Sequence, residues 1–281
     1  MPVPPVSGSA LLSSPPRRRN PPPDRSGARS SPSTWSFPGY IGMSLTSKLT
    51  SSIGAKAVMA VSGVLLMLFV LGHMLGNLQI FLGPEQLNSY AAHLQGLGPL
   101  LWLIRLFLLA VLAAHVLAAI KVWRDSAAAR PIPYSHPGSV QTTFAARTML
   151  LSGALVLAFL IWHLVHFTVV NDPALAALKH PEGAEPHHPD VYAMVVAGFS
   201  HGGVSLLYIL AQILLGLHLS HGAASLFQTL GLRRTGKAPS RVDLFAKAFA
   251  GLIVVGNCSI PIAVLLFGLG EDYLFSVLHA Q

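Results

Sequence analysis

Five long apolar stretches, separated by shorter polar or basic segments, dominate the hydropathy pattern of this 281-residue chain. A bilayer core about 30 Å thick requires roughly 20 apolar residues in helical form, and each stretch is long enough. The pattern therefore predicts an all-α membrane protein with five transmembrane helices in one domain. The expected spans are Gly54–Leu82, Leu100–Trp123, Ala145–Val170, Phe199–Phe227 and Leu244–Leu269.

Composition and charge refine this class. Hydrophobic residues make up 52% of the chain and charged residues only 10%, which is far from an ordinary soluble domain. The net charge of +8 comes from cations before the first stretch and in the second and fourth connections, whereas Lys179 is the only Lys or Arg in the other two connections. By the positive-inside rule the N-terminus is cytoplasmic and the C-terminus lies outside. Nucleic acid is therefore not an expected partner.

The first 42 residues have a different character from the rest. They are rich in Pro, Ser, Gly and Arg and contain no apolar stretch, so they cannot bury enough surface to fold alone. Residues 1–42 are predicted to be a disordered leader, and residues 43–281 the membrane domain. Met43 is a candidate for the true start of translation.

Each of the first four stretches carries a histidine about two-thirds of the way along. An imidazole in hydrocarbon is costly, so an intramembrane histidine usually faces a bundle interior and marks a functional site. Because successive helices run in opposite directions, depth predicts an outer layer of His73 with His163 and an inner layer of His115 with His218. Two histidines per layer match the two axial positions of a haem iron. We therefore expect the first four helices to form a bundle that holds two haems.

An internal repeat supports this arrangement, since Met-x-x-Ser-Gly precedes the histidine at the same spacing in helices one and three. The residue ten positions before each histidine should lie near the level of the other layer. In helices one and three it is a glycine, which admits either a macrocycle or a closely packed helix. In helix two it is an arginine, which either bonds a haem propionate or snorkels to the interface. The four residues are Gly63, Gly153, Arg105 and Tyr208.

Helices three and four carry a second histidine three positions on, His166 and His221. Either can replace its neighbour as ligand, but both lie nearer the membrane surface, so contact with propionates or a quinone is expected; a bond to a helix carbonyl is the alternative. Cys258 is the single cysteine, which excludes disulfides within the chain and haem attachment through C-x-x-C-H. Any haem must be held by its axial ligands and its pocket.

Taken in order along the chain, these motifs resemble the five-helix, two-haem cytochrome b membrane anchor of bacterial succinate dehydrogenases and fumarate reductases. The resemblance covers about Ser51 to Tyr273. It implies that the four intramembrane histidines bind two b haems and that the chain lies in a bacterial cytoplasmic membrane. Its strongest segments are Gly72-His-Met-Leu-Gly-Asn77, Ala114-His-Val116, Trp162-His-Leu-Val-His-Phe167 and Leu217-His-Leu-Ser-His-Gly222.

The resemblance also implies a reaction. A flavoprotein subunit oxidises succinate, an iron–sulfur subunit relays the electrons, and this chain passes them through the haems to a membrane quinone, with menaquinone expected. The chain has neither a phosphate-cradling glycine motif nor a cysteine cluster, so both soluble subunits are required partners. A higher oligomer of the complex is compatible with this composition. Docking candidates at the inner ends of helices one and four are Ser52, Lys56, Ser225 and Gln228.

Quinone binding and rival functions stay open at this level. Polar residues after helix one fit either an outer quinone site or a short amphipathic helix, namely Glu85, Gln86, Asn88, Tyr90 and Gln95. Some two-haem relatives carry a glutamate where this chain has Gly216, which argues against a proton route there. The main alternative is the cytochrome b subunit of another quinone-linked dehydrogenase or hydrogenase. A remote alternative is a proton- or metal-coupled transporter.

Overall fold

The structure is a computed structural model that describes residues 51–129, 144–170, 172–179, 189–231 and 241–279. Within these ranges every regular element is helical and none is a strand. A 3-10 turn, Leu78–Leu82, follows the first helix, and a π-helical turn, Leu164–Val169, follows the fifth. The α-helices are α1 Ser52–Asn77, α2 Pro84–Gly96, α3 Pro99–Ala128, α4 Phe144–Arg147, α5 Met149–His163, α6 Pro173–Lys179, α7 Val191–Phe199, α8 Gly202–Thr229, α9 Arg241–Phe267 and α10 Glu271–His279.

Five of these elements are long and apolar enough to cross a membrane, namely α1, α3, α5, α8 and α9. Helices α1 and α5 are counted here with the turns that follow them. The predicted all-α class and the five predicted spanning helices are thus confirmed. Several ends differ from expectation: the third span begins at Met149 instead of Ala145, because Phe144–Arg147 is a separate short helix. The largest difference is in α3, which continues past Trp123 to Ala128. Lys121 and Asp125 form an i,i+4 ion pair there, with 3.0 Å between Nζ and Oδ2, and hydropathy does not register such a polar turn. The predicted leader and Met43 lie outside the described residues.

The spanning helices pack as two pairs joined along one side. The second, α3, packs mainly on α1, and the third, α5, packs mainly on α8. Helices α1 and α8 touch each other, and α9 covers α8 over its length while also contacting α1. Among the described residues, neither α1 with α5 nor α3 with α8 is a closely packed pair. Space therefore remains along both diagonals of the four-helix arrangement.

Two glycines allow the close approach of α9 to its neighbours. Gly216 of α8 lies directly against the Val254 side chain, and Gly256 of α9 lies directly against Met74 of α1. A Cβ atom at either position would collide with these side chains. Small residues at helix contacts are typical of membrane proteins, where backbones approach closely. Gly216 is thus occupied by a helix contact.

A polar cluster ties together three short helices beside the spanning bundle. The Asp190 carboxylate accepts hydrogen bonds from Nδ2 of Asn88 at 2.9 Å, from the Tyr273 hydroxyl at 2.8 Å and from the backbone N–H of Ala193 at 2.9 Å. Oδ1 of Asn88 in turn accepts from the backbone N–H of Tyr192 at 2.9 Å. Burial, and secondly the bond to Asp190, raise the pKa of Tyr273 to about 12. This Asp190 cluster joins α2, α7 and α10.

Candidate metal centres

The four intramembrane histidines meet in two pairs across the diagonals of the bundle. The imidazole centroids of His73 on α1 and His163 on α5 are 5.9 Å apart, with the ring planes at 86°. Those of His115 on α3 and His218 on α8 are 6.4 Å apart, with the planes at 68°. We call the first the outer pair and the second the inner pair, after the orientation expected from charge. The helix backbones are not closely packed along these diagonals among the described residues, and the imidazoles meet across them.

The two pairs lie at different depths. Gly63 of α1 contacts the ring of His115, while His73, ten residues farther along the same helix, faces His163. Ten helical residues correspond to about 15 Å of rise. The same relation holds on α5, where Gly153 contacts His218 and His163 lies ten residues on. The internal repeat therefore has a structural counterpart: α1 and α5 each supply one histidine to the outer pair and one glycine that contacts the inner pair.

A serine accompanies each histidine of the inner pair. Oγ of Ser62 on α1 lies 3.2 Å from Nδ1 of His115, and Oγ of Ser152 on α5 lies 3.4 Å from Nδ1 of His218. Both serines are buried, with 5% and 3% of their surface exposed. Sequence reasoning noted these serines only as members of a repeat and assigned them no role. Their recurrence before a glycine in both copies was the signal available.

The glycine that follows each serine makes room for the same imidazole. A Cβ at Gly63 would lie 3.4 Å from Cε1 of His115, and one at Gly153 would lie 3.1 Å from Cε1 of His218. The sequence suggested that these glycines admit either a macrocycle or a neighbouring helix. In the structure the group that approaches each of them is the imidazole of an inner histidine.

The unequal clearances give a matched comparison. Gly153→Ala is expected to lower the free energy of unfolding by about 1 kcal/mol relative to Gly63→Ala, because only the first forces an imidazole to shift. The gain in helix propensity is the same at both positions, so the difference isolates the contact. Chemical denaturation of the full chain in detergent measures it. If the two variants are equally stable, or if Gly63→Ala is the less stable, a Cβ at Gly153 does not crowd His218 more than a Cβ at Gly63 crowds His115.

The outer pair has a tyrosine in place of the serines. The Tyr208 hydroxyl on α8 lies 3.1 Å from Nδ1 of His163 and 3.0 Å from Nδ1 of His166. A hydroxyl has one proton and two lone pairs, so it bonds both rings at once. Tyr208 and His166 thus belong to the surroundings of the outer pair. Aromatic rings complete this environment, since Phe69 stacks on His73, Phe159 on His163 and Trp162 on His166.

A distorted helical turn places His166 in this cluster. The segment that follows His163 is π-helical, and it ends at Val170 with φ 60° and ψ 84°. Left-handed backbone at a β-branched residue is a genuine outlier, of order 1–3 kcal/mol in cost. π-Turns occur frequently at functional sites. Here the turn lies where two histidines three positions apart both reach one hydroxyl.

The other residues singled out from the sequence are dispersed. Arg105 is exposed, and its guanidinium carbon lies 5.0 Å from the centroid of the Trp102 indole, a cation–π contact. His221 is half-buried on α8, one turn beyond His218.

The docking candidates lie at the inner ends of the helices. At the inner ends of α1 and α3, the Ser52 hydroxyl donates to Asp125 at 2.9 Å. A cavity of about 190 Å³ there is lined by Lys56, Ser52 and Asp125, among others. The Ser225 hydroxyl donates to the Gly222 carbonyl, and Gln228 lies in the last turn of α8.

The five outer quinone candidates on α2 do not converge on one place. Glu85, Gln86 and Gln95 are exposed, and Nε2 of Gln86 donates to Oε1 of Gln79 at 3.1 Å. Asn88 uses its amide within the Asp190 cluster. Tyr90 packs over Gly76, where a Cβ would lie 2.7 Å from its hydroxyl. Tyr90 therefore packs α2 against α1, Asn88 joins α2 to the Asp190 cluster, and the other three are exposed.

In chemical terms each pair brings two imidazoles close together between helices that are mostly apolar. Among the described residues, no group of three or more His, Cys, Asp or Glu side chains could hold a metal ion. Two imidazoles can complete the coordination of a metal whose other positions are filled by a non-protein group, as the macrocycle does in haem. Comparison of the chain with protein-family models, with curated proteins and with solved structures finds no match.

Proposed function

We propose that this chain is the membrane anchor and electron-transfer subunit of a succinate:quinone oxidoreductase, in which two b haems carry electrons to a membrane quinone. The observation that carries the proposal is the presence of two histidine pairs, each spanning a diagonal of the bundle, at levels about 15 Å apart along one helix. The order of the histidine motifs along the chain supports the particular family.

The spacing within each pair suits a haem iron. A metal–imidazole bond of about 2.0–2.1 Å on each side, with about 1.2 Å from each nitrogen to its ring centroid, separates the two centroids by about 6.4–6.6 Å. The inner pair, at 6.4 Å, meets this separation, and the outer pair, at 5.9 Å, is about half an ångström closer. In three of the four rings a hydroxyl lies at Nδ1, which leaves Nε2 for the metal. The donor set therefore fits the group.

The roles of the chain's own residues follow from these contacts. His73 and His163 would hold the outer haem, and His115 and His218 the inner one. When bound, each haem supplies a one-electron carrier. Tyr208 positions His163 through its Nδ1, while Phe69 and Phe159 restrict the tilt of the outer rings. In the protein alone His115, His163 and His218 are partly buried and His73 is exposed.

Partners and orientation complete the proposal. The basic connections support an orientation with the N-terminus in the cytoplasm and the C-terminus outside, and the family resemblance supports a bacterial cytoplasmic membrane. A flavoprotein and an iron–sulfur subunit dock at the basic inner end, near Ser52 and Lys56. The quinone, with menaquinone as the expected species, binds at the outer end. Glu85, Gln86 and Gln95, together with His166, are the candidates that remain accessible there or lie next to the outer pair.

The test is a reduced-minus-oxidised optical spectrum of the gently solubilised complex, with pyridine haemochrome quantification per chain and succinate as one reductant. Two b haems per chain that succinate reduces are the expected result. Two haems that do not respond to succinate would instead favour the cytochrome b subunit of another quinone-linked dehydrogenase or hydrogenase. A chain without haem would refute the proposal and favour a transporter in which the histidines bind protons or metal ions.

A further inference from the structure

The direction of the hydrogen bonds at the inner pair can be worked out from the helix itself. The Ser62 hydroxyl lies 2.7 Å from the Val58 carbonyl oxygen of its own helix, and the Ser152 hydroxyl lies 3.1 Å from the Met149 carbonyl oxygen. A carbonyl oxygen only accepts, and a hydroxyl has a single proton to donate. Each serine proton therefore has a carbonyl acceptor within its own helix. With the proton directed there, the serine oxygens are acceptors towards His115 and His218.

This direction fixes the tautomer of both rings. A ring nitrogen that approaches an acceptor must carry the proton, so Nδ1 of His115 and Nδ1 of His218 are protonated. A neutral imidazole with its proton on Nδ1 has its free electron pair on Nε2. Nε2 is the atom that ligates a metal when Nδ1 is held by the protein. The serines thus select the tautomer in which both inner histidines are ready to ligate.

We propose that Ser62 and Ser152 are positioning residues for the inner metal centre, which hold His115 and His218 in the Nδ1–H tautomer and set their ring orientation. This inference rests on the proposed haem function and assigns a specific role to side chains outside the ligand set. It accounts for the repeated Ser-Gly pair: the serine accepts from the ring, and the glycine leaves room for the ring's Cε1 edge.

The outer pair lacks this arrangement. The Tyr208 hydroxyl faces two imidazole nitrogens, so its one proton can point to either ring. No helix carbonyl appears among its described hydrogen bonds. The two centres are therefore distinguished by how their ligands are held, and the serines act on the inner centre alone. This difference makes the outer centre an internal control for any substitution at the serines.

When a protein group accepts a hydrogen bond from a ligating imidazole, the imidazole becomes a stronger electron donor to the metal. Such partners thereby change the reduction potential of the metal. A stronger donor stabilises the oxidised iron. Removal of the acceptor is therefore expected to shift the reduction equilibrium of the inner haem towards the reduced form. A threefold to tenfold shift is expected, and tenfold corresponds to about 59 mV for a one-electron couple.

The experiment is a potentiometric titration of both haems in the complete complex, in membranes, for the unsubstituted chain and for Ser62→Ala and Ser152→Ala. Each substitution is expected to raise the midpoint potential of one haem, the same one in both variants, although the serines lie on different helices. Low-temperature electron paramagnetic resonance of the oxidised complex should show a changed signal for that haem alone. The other haem is expected to keep its potential.

Ser259→Ala is the matched control, because the Ser259 hydroxyl on α9 also bonds its own helix, at 2.7 Å from the Gly256 carbonyl. It should leave both potentials unchanged, and Ser62→Thr, which retains a hydroxyl, should restore the unsubstituted values. Unchanged potentials in both serine variants, equal shifts of both haems, or an equal shift in Ser259→Ala would overturn the inference. If Ser62→Ala loses one haem, retention in Ser62→Thr supports it and equal loss in Ser62→Thr overturns it. Absence of haem from the unsubstituted chain would refute the proposed function itself.

Discussion

Replacement of His115 by alanine is expected to lower the haem content from two per chain to one, and the addition of His218→Ala is expected to lower it no further. Both residues belong to the inner pair, so the first substitution would already leave the proposed inner haem with one protein ligand. Without covalent attachment, an inner haem would then be held by one axial bond and its pocket. Pyridine haemochrome analysis of the purified complex, per chain, measures the content.

The pairing itself is tested by combining substitutions across the two levels. His115→Ala with His163→Ala is expected to leave no haem, whereas His73→Ala with His163→Ala is expected to leave one. His279→Ala is the control, because His279 is exposed on α10, where it stacks on Phe275. If His115→Ala with His218→Ala removed both haems, or if the cross-level double variant kept one, the assignment of ligands to levels would be wrong.

Asp190→Ala is expected to lower the free energy of unfolding by about 2–4 kcal/mol. The substitution leaves Nδ2 of Asn88 and the Tyr273 hydroxyl without their acceptor, and each unsatisfied group costs about 1–3 kcal/mol when buried. It also removes the cap at the start of α7, where Asp190 accepts from the Ala193 N–H. Asn88 and Tyr273 are only partly buried, so each unsatisfied group should cost less than it would in a fully buried site. Thermal or chemical unfolding of the full chain in detergent measures the loss.

Two variants calibrate that result. Asp190→Asn retains one acceptor oxygen and should lose less than half as much stability as Asp190→Ala. Asp172→Ala removes an acid that caps the start of α6 through the Ala174 N–H at 2.8 Å, and at an exposed position it should cost about 1 kcal/mol or less. A loss in Asp190→Ala no greater than in Asp172→Ala would mean that the Asp190 cluster does not hold α2, α7 and α10 together.

The features that sequence could supply are those that depend on distance along one helix. Five spans followed from apolar length, and the facing of His73 with His163 and of His115 with His218 followed from depth at a fixed rise per residue. The ligand role of these histidines stays a prediction, which the haem analysis above addresses. The position of Gly63 at the level of the inner pair likewise followed from its distance of ten helical residues from His73.

The features that sequence could not supply depend on contacts between distant segments. Asn88 and Asp190 are more than 100 positions apart, and no local pattern connects an amide on α2 with a carboxylate before α7. The π-turn after His163 is invisible to hydropathy, because its residues are as apolar as a regular turn would be. The role of Ser62 required knowing which ring lies beside it and where its own proton goes.

The one-sided joining of the two helix pairs also bears on biogenesis. Helices α1 and α8 form the spine of the bundle, and the diagonals from α1 to α5 and from α3 to α8 stay open between their backbones. For the proposed haems, these diagonals offer a lateral path between helices that are already inserted in the bilayer. Insertion of the polypeptide and loading of its cofactors would then be separable steps.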